Sequence, residues 1–331
     1  MQKGILLLLL ILSISCKDKP TKELTNVPST SSDQKDKHQQ SEESDSLYVF
    51  TSFREPADKG LFLAYSNDGY HWEDLKGPYL KPEVGNSGIM RDPSVVKGPD
   101  GTYHMVWTTD WRGSNGFGYA KTKDFIHWSE QRFIPAMDHE PEVVNVWAPE
   151  LFYDQDRQRF IIIWASTIPF RFEKGQEDEN NNHRMYFTTT KDFEEFSSTE
   201  LLIDAGFSMI DCVIVKRAKD DYVLIMKDNT RPNRNLLAGF ASDPLGPYAH
   251  FTKPFSGFLS EGATVIEEDG KYIVYYDNYG EKNYAAVVTE DFQEFKDISD
   301  QIKLPEGHKH GTITKISAAV LQELLTKSKT L

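Results

Sequence analysis

Thr122-Lys123-Asp124-Phe125-Ile126-His127-Trp128 is the stretch on which the fold turns, because the chain repeats its pattern. A small or hydroxyl residue, one residue, Asp, three residues and an aromatic recur at Ser66-Asn67-Asp68 with Trp72, Thr190-Lys191-Asp192 with Phe196, and Thr289-Glu290-Asp291 with Phe295. Ala241-Ser242-Asp243 with Tyr248 is a looser copy, one residue longer. About twenty residues before most of these Asp residues lies an aromatic-led apolar run: Tyr48-Val49-Phe50-Thr51, Tyr103 to Trp107, Phe160 to Trp164, Tyr222 to Met226 and Tyr272 to Tyr276. Aromatic and β-branched residues closed by Asp-containing turns read as strands. The third copy is longer because it holds a polar insert, residues 171–184, which reads as a surface loop.

A further apolar strand, headed by a polar residue, precedes each of four of these runs. The heads are Asp92, Glu150, Asp211 and Glu261, each ten or eleven residues ahead of the following strand. The first repeat lacks this element, and one is left over near the C-terminus, His310-Gly311-Thr312-Ile313-Thr314. The solution is closure: the last strand completes the blade begun by the first, and no sheet edge stays open. A repeat of about 50 residues built of strands is a propeller signature, so the sequence predicts an all-β, five-bladed β-propeller over residues 47–317. Val320, Leu321, Leu324 and Leu325 have helical spacing and predict a short structural helix in the tail, 318–331.

In that ring the polar-headed strand of each blade is innermost. Asp92, Glu150, Asp211, Glu261 and His310 are then expected at equivalent positions around one mouth of the central channel. Such a convergence is costly, since like charges repel and burial disfavours ionisation. Solvated loop residues do not recur in one register five times, so the set reads as a site.

The chain has 331 residues, 51 acidic against 37 basic, a net charge of −14, and 39% hydrophobic and 12% aromatic residues. A large core is available, and the absence of any Lys/Arg-rich run excludes nucleic acid as a partner class. Residues 1–16 read as a secretory signal: Lys3, an apolar run Ile5 to Ile11 too short to span a membrane, then Leu12-Ser13-Ile14-Ser15-Cys16. Ser15-Cys16 resembles a bacterial lipoprotein cleavage site, with Cys16 as the acylated residue. Residues 17–46, rich in Lys, Asp, Glu, Ser, Gln and Thr, read as a disordered tether. The expectation is a monomeric lipoprotein of the outer membrane, periplasmic or at the cell surface, touching membrane only through its anchor. Cys212, in an apolar strand, reads as a small buried hydrophobe.

Arg91-Asp92-Pro93, Trp147-Ala148-Pro149-Glu150, Ile210-Asp211, Ser260-Glu261-Gly262 and His310-Gly311, in that order and spacing, resemble glycoside hydrolase family 43. The resemblance covers residues about 47–317. It implies an inverting glycosidase acting on arabinofuranosides, xylosides or galactosides of plant-type polysaccharides, α-L-arabinofuranosides foremost. It further implies Asp92 as general base, Glu261 as general acid and Asp211 as the carboxylate that tunes the acid. Ala263 and Cys212 stand where that family often has Pro. An inverting pair separated to admit a water suits side chains facing each other across a channel. No cofactor is required; a structural calcium ion in the central channel is the one metal for which the resemblance leaves room.

Other residues carry two readings each. His310 either helps to hold a water or hydrated metal ion under the substrate or is a core histidine closing the fifth blade. Glu150 reads as a ligand of substrate hydroxyls. Trp147, Trp111 and Phe207 are candidate sugar-stacking platforms or blade packing. Asp228 to Arg234, with Arg231 foremost, is either a specificity loop or a solvated one. Two alternatives to the inverting hydrolase remain at this stage: a glycan-binding lipoprotein without catalysis, and a retaining fructosidase or glycoside phosphorylase, whose phosphate pocket Arg231 and Arg234 would supply.

Overall fold

The computed structural model describes residues 47–331; the expected signal segment with Cys16 and the expected tether 17–46 lie outside the described residues. Five antiparallel sheets form a five-bladed propeller. Blade 1 begins with β1 (Leu47–Ser52), β2 (Leu61–Ser66) and β3 (Trp72–Leu80). Blade 2 is β4 (Arg91–Lys97), β5 (Tyr103–Thr108), β6 (Phe117–Thr122) and β7 (Arg132–Ile134). Blade 3 is β8 (Trp147–Asp154), β9 (Arg159–Ser166), β10 (Arg184–Thr190) and β11 (Glu200–Ile203). Blade 4 is β12 (Met209–Ala218), β13 (Asp221–Asp228) and β14 (Asn235–Ala241). Blade 5 is β15 (Glu261–Glu268), β16 (Lys271–Asn278), β17 (Asn283–Thr289) and β18 (Lys296–Asp297). β19 (Thr312–Ile316) then returns to blade 1 and pairs with β1 from Leu47↔Ile316 to Thr51↔Thr312. The inner strands β4, β8, β12, β15 and β19 touch in that order and close the ring.

Blade 4 has no regular fourth strand. The segment beside β14 still bonds to it at Phe240–Ala249, Ala238–Thr252 and Leu236–Phe255. Pro247 and Pro254 remove donors that a regular ladder would need.

The repeated turn has a common hydrogen-bond scheme. Thr122 Oγ1 accepts from the Phe125 amide at 3.0 Å, and Asp124 Oδ1 accepts from the amides of Ile126 and His127 at 2.8 Å each. Asp68, Asp192 and Asp291 each accept from the same two following amides. The scheme forces the next residue into the left-handed region, at φ 75, 60, 63 and 60° for Gly69, Phe125, Phe193 and Phe292. The three phenylalanines are fully buried there, each in the apolar layer between two blades. Five such layers exist, one per pair of neighbouring blades. The C-terminal helix α1 (Ala318–Ser328) is capped by Ser317 and buries Leu321 and Leu324 in the layer between blades 1 and 2.

The expected equivalence of the five polar heads does not hold in the pairing register. Arg91 pairs with Thr108, Trp147 with Ala165, Ile210 with Lys227 and Glu261 with Asp277, and a bulge follows each. The residue after each lies at positive φ: Asp92 51°, Ala148 45°, Asp211 53° and Gly262 59°. Asp92 and Asp211 are therefore equivalent, Glu261 stands one residue nearer the mouth, and Glu150 two residues deeper. At about 3.3 Å per residue, Glu150 lies about 7 Å further along its strand. The near-constant spacing in the sequence arose from compensating turns: Glu267 to Tyr272 is a shorter hairpin than Lys97 to Tyr103, and Tyr153 to Phe160 a longer one.

Closure leaves no room for a side chain at Gly311, where an added Cβ would stand 1.8 Å from the Thr51 carbonyl oxygen. Gly311→Ala should lower the thermal unfolding midpoint through an overpacking cost of about 1–3 kcal/mol; an unchanged midpoint would show that the closing strand tolerates displacement.

Candidate active site

The first turns of the inner strands bring the carboxylates to one imidazole. His310 Nδ1 lies 3.3 Å from Asp92 Oδ1, and Thr108 Oγ1 donates to Asp92 Oδ2 at 2.9 Å. The His310 ring lies against Gly262, where an added Cβ would be 2.4 Å from its Cγ. The contact makes glycine necessary there; the positive φ alone does not, since Asp92, Ala148 and Asp211 adopt it at the equivalent positions. His310 and Asp211 are both buried.

The charges are interdependent. Burial alone would lower the proton affinity of His310, but the Asp92 hydrogen bond and the charges of Asp211, Asp92 and Glu261 raise it to about 10. Burial pushes Asp92 upward, yet the hydrogen bond and charge of His310, with Arg91 and Thr108, hold it below the ordinary carboxylate range. Burial raises Asp211 to about 6, helped by Glu261 and Asp92 and opposed by His310 and Lys227. At neutral pH Asp92 is an anion and His310 a cation.

Sequence reasoning missed Lys227. Its side chain is only 3% exposed, and Nζ donates to Glu261 Oε2 at 2.7 Å. Burial would discharge it, but Glu261 and Asp211 keep it protonated. It also missed Thr108 and Asp277. A signal existed: Thr108, Lys227 and Asp277 each stand five residues after the aromatic that leads their strand, Tyr103, Tyr222 and Tyr272. All three pair with the residue just before the bulge.

Arg91 does not pair with its neighbour. Its Nη1 donates to Glu55 Oε1 at 2.9 Å, and its guanidinium stacks on Phe53 and Trp111. Trp111, 54% exposed, lies 4.9 Å from Trp147 between ring centroids. Trp147 Nε1 donates to the Trp111 carbonyl at 2.6 Å, and the buried His183 stacks on Trp147. The two indoles thus form one aromatic corner at the mouth. Phe207 is packed against the layer between blades 3 and 4. The insert meets this rim through Arg112, which donates to the Asn180 carbonyl at 3.1 Å and to Asn181 Oδ1 at 2.9 Å. Arg231 is exposed, and its amide donates to Glu177 of the insert at 2.7 Å. Glu150 lies deeper, on a hollow of about 350 Å³ shared with Val213, Thr264 and Thr312; burial raises it to about 7. Cys212 is buried, and burial raises its thiol well above the ordinary value.

No group of three His, Cys, Asp or Glu side chains suited to a metal occurs among the described residues. The residues present do not fit direct ligation, and no chemical step below passes through a metal.

A family described as "Probable glycosyl hydrolase domain", related to glycoside hydrolase family 43, matches residues 43–322. An α-L-arabinofuranosidase of Bifidobacterium longum subsp. longum is 22% identical over 152 residues, 40% of this chain and 14% of that protein. The chain thus spans about one seventh of that relative's length. Among solved structures, a family 117 glycoside hydrolase from Zobellia galactanivorans superposes with a TM-score of 0.53 at 17% identity, covering 68% of this chain and 74% of that one. The α-L-arabinofuranosidase of Podospora anserina, solved with cellotriose, gives 0.52 at 15% identity over 70% and 74%. A thermostable family-43 glycoside hydrolase gives 0.51 at 17% over 71% and 82%. At these identities the likeness establishes the fold.

His310 binds its proton more tightly folded, at about 10, than at its ordinary 6.5. The stability it contributes is therefore complete below about pH 6.5 and lost as pH rises through about 10. The stability gap between wild type and His310→Gln in denaturant should be widest near pH 6 and narrow by pH 10.5. A gap independent of pH would assign His310 to packing alone.

Proposed function

The chain belongs to the family of glycosyl hydrolase domains related to glycoside hydrolase family 43, and from that premise we propose that it is an inverting glycosidase releasing α-L-arabinofuranosyl units from plant-type glycans. The observation that carries the reading is the convergence of Asp92, Asp211 and Glu261, from three blades, on the buried cation His310.

Asp92 is the base. Its ionised state is secured by His310 and Thr108, so it can hold a water and take its proton as that water attacks the anomeric carbon. Glu261 is the acid that protonates the leaving oxygen, and the Lys227 ammonium at 2.7 Å stabilises the carboxylate left behind. Asp211 adds negative charge that acts on Asp92, Glu261 and His310. β19 runs between β15 and β4, so the His310 imidazolium stands between acid and base. That arrangement favours the wide separation, about 6.5–9.5 Å, that admits a water, over the about 5–5.5 Å of a retaining pair. Trp111 and Trp147 offer an aromatic corner for sugar stacking. Export through residues 1–16, acylation of Cys16 and display at the outer membrane complete the proposal.

Asp92→Asn should lower kcat about 10²–10⁴-fold on 4-nitrophenyl α-L-arabinofuranoside and on arabinobiose alike. Glu261→Gln should cost more on arabinobiose than on the nitrophenyl substrate, because nitrophenolate leaves with little help from an acid. Proton NMR of the first product should show the inverted anomer; retention, or full activity of either variant, would overturn the assignment. Cys16→Ala should move the protein from the membrane fraction to the soluble one, and a protein that stays in the membrane fraction would refute the lipid anchor.

A further inference from the structure

Six large apolar side chains among the described residues are strongly exposed, and Phe170, at 84%, is the most exposed of them. Three of the six, Trp111, Phe170 and Phe258, lie on mouth-side connections: after β5, after β9 and before β15. A single exposed apolar residue needs no explanation. Phe170 differs, because the chain around it is built to present it.

Its backbone is left-handed, at φ 64°. A bulky residue holds that conformation only where its surroundings over-determine it. Here they do. The Phe170 amide donates to Glu179 Oε2 at 3.0 Å. The next residue, Arg171, clamps Glu140 through both terminal nitrogens, with Nη2 2.8 Å from Oε2. Glu179 opens a single 3₁₀ turn, Glu179–Asn181. The same turn holds Arg112 through the Asn180 carbonyl and Asn181 Oδ1, and Arg112 follows Trp111 directly in the chain. Phe170 and the Trp111–Arg112 segment are thus tied to one turn about 6 Å long.

The insert that carries this turn is anchored like a core element. Glu177, Asn182, His183 and Arg184 are all buried. Arg184 donates to Asn182 Oδ1 at 2.8 Å and to the Glu173 carbonyl at 3.0 Å, and Ser208 Oγ, from blade 4, donates to the Asn181 carbonyl at 2.6 Å. A surface fixed in this way loses little conformational entropy when a partner covers it.

Continuity with the mouth identifies the partner. Trp111 forms the aromatic corner with Trp147, where the sugar to be released stacks. A glycan that leaves the mouth across Trp111 next meets the insert and Phe170. The exposed phenyl ring offers a flat apolar face to the C–H side of a sugar ring, and the exposed Asn180 beside it offers both a donor and an acceptor to sugar hydroxyls.

We propose that the outer face of the insert is a docking surface for the main chain of a polymeric glycan, with Phe170 as its stacking residue. The surface adjoins the catalytic mouth and contains none of its acids. The assignment rests on the glycosidase reading, which is what brings a glycan to the mouth.

Phe170→Ala should lower kcat/KM on the branched polymer, arabinoxylan or arabinan, about fivefold, the effect of one lost stacking contact. It should leave kcat/KM on 4-nitrophenyl α-L-arabinofuranoside unchanged, and Phe170→Trp should preserve both. An equal loss on both substrates, or no loss on the polymer, overturns the proposal. Affinity electrophoresis of the full-length Asp92→Asn protein gives a readout without turnover. Arabinoxylan or arabinan in the gel should retard it, and adding Phe170→Ala should weaken the retardation. Retardation that depends on Phe170, with no hydrolysis by wild type, would sink the hydrolase and leave the surface standing. Hydrolysis with a retardation indifferent to Phe170 would sink the surface and leave the hydrolase. Sedimentation should be the same with and without Phe170→Ala; a dimer that the substitution dissociates would make the patch a contact between copies of this chain and overturn the docking of glycan.

Discussion

The buried imidazolium of His310 is the interaction on which fold and site both depend. It sits just ahead of the strand that closes the ring, and it meets the carboxylates of blades 2, 4 and 5. Without its charge, Asp92, Asp211 and Glu261 would keep only Lys227 and Arg91 to offset them, and removing one member of a buried ionic set is strongly destabilising. Ring closure therefore does more than cover a sheet edge. It delivers the counter-charge that lets three acids share one mouth.

A single backbone device supports this arrangement. Four inner strands carry a bulge at the same register, each with a residue at positive φ. A bulge re-aims side chains at a strand end, and here it does so in every blade that begins with an inner strand. At this position the blades differ in what occupies the bulge. Blades 2 and 4 place Asp there, blade 3 places Ala148, and blade 5 places Gly262, whose missing side chain makes room for the His310 ring. Strained backbone concentrated at functional positions is a general pattern.

The second strands supply the complement. Thr108, Lys227 and Asp277, at one register of β5, β13 and β16, present a hydroxyl to Asp92, a cation to Glu261 and an acid to Lys309. The result is an ordered set of protonation states near neutrality: Asp92 charged, Asp211 titrating near 6, His310 charged up to about 10. Groups with such separated proton affinities are what acid–base chemistry uses.

The fold was legible in the sequence because each blade is a local unit. Strand runs, the Thr-x-Asp turns and the unpaired element at each end of the chain are properties of neighbouring residues, and a ring of such units can close in one way. The acids Asp92, Asp211 and Glu261 were legible for the same reason, as polar heads of apolar strands. Three things were decided only by tertiary structure. Hairpin turns of unequal length cancelled in the sequence spacing, so the depths of Glu150 and Glu261 emerged only from cross-strand pairing. The left-handed Phe125, Phe193 and Phe292 were hidden because the turn's hydrogen bonds, not residue preference, impose their conformation. The partnership of Lys227 with Glu261, and of His310 with three carboxylates, joins residues far apart in the chain. Such pairings follow from which blades become neighbours around the axis, a matter of packing that local propensity does not encode.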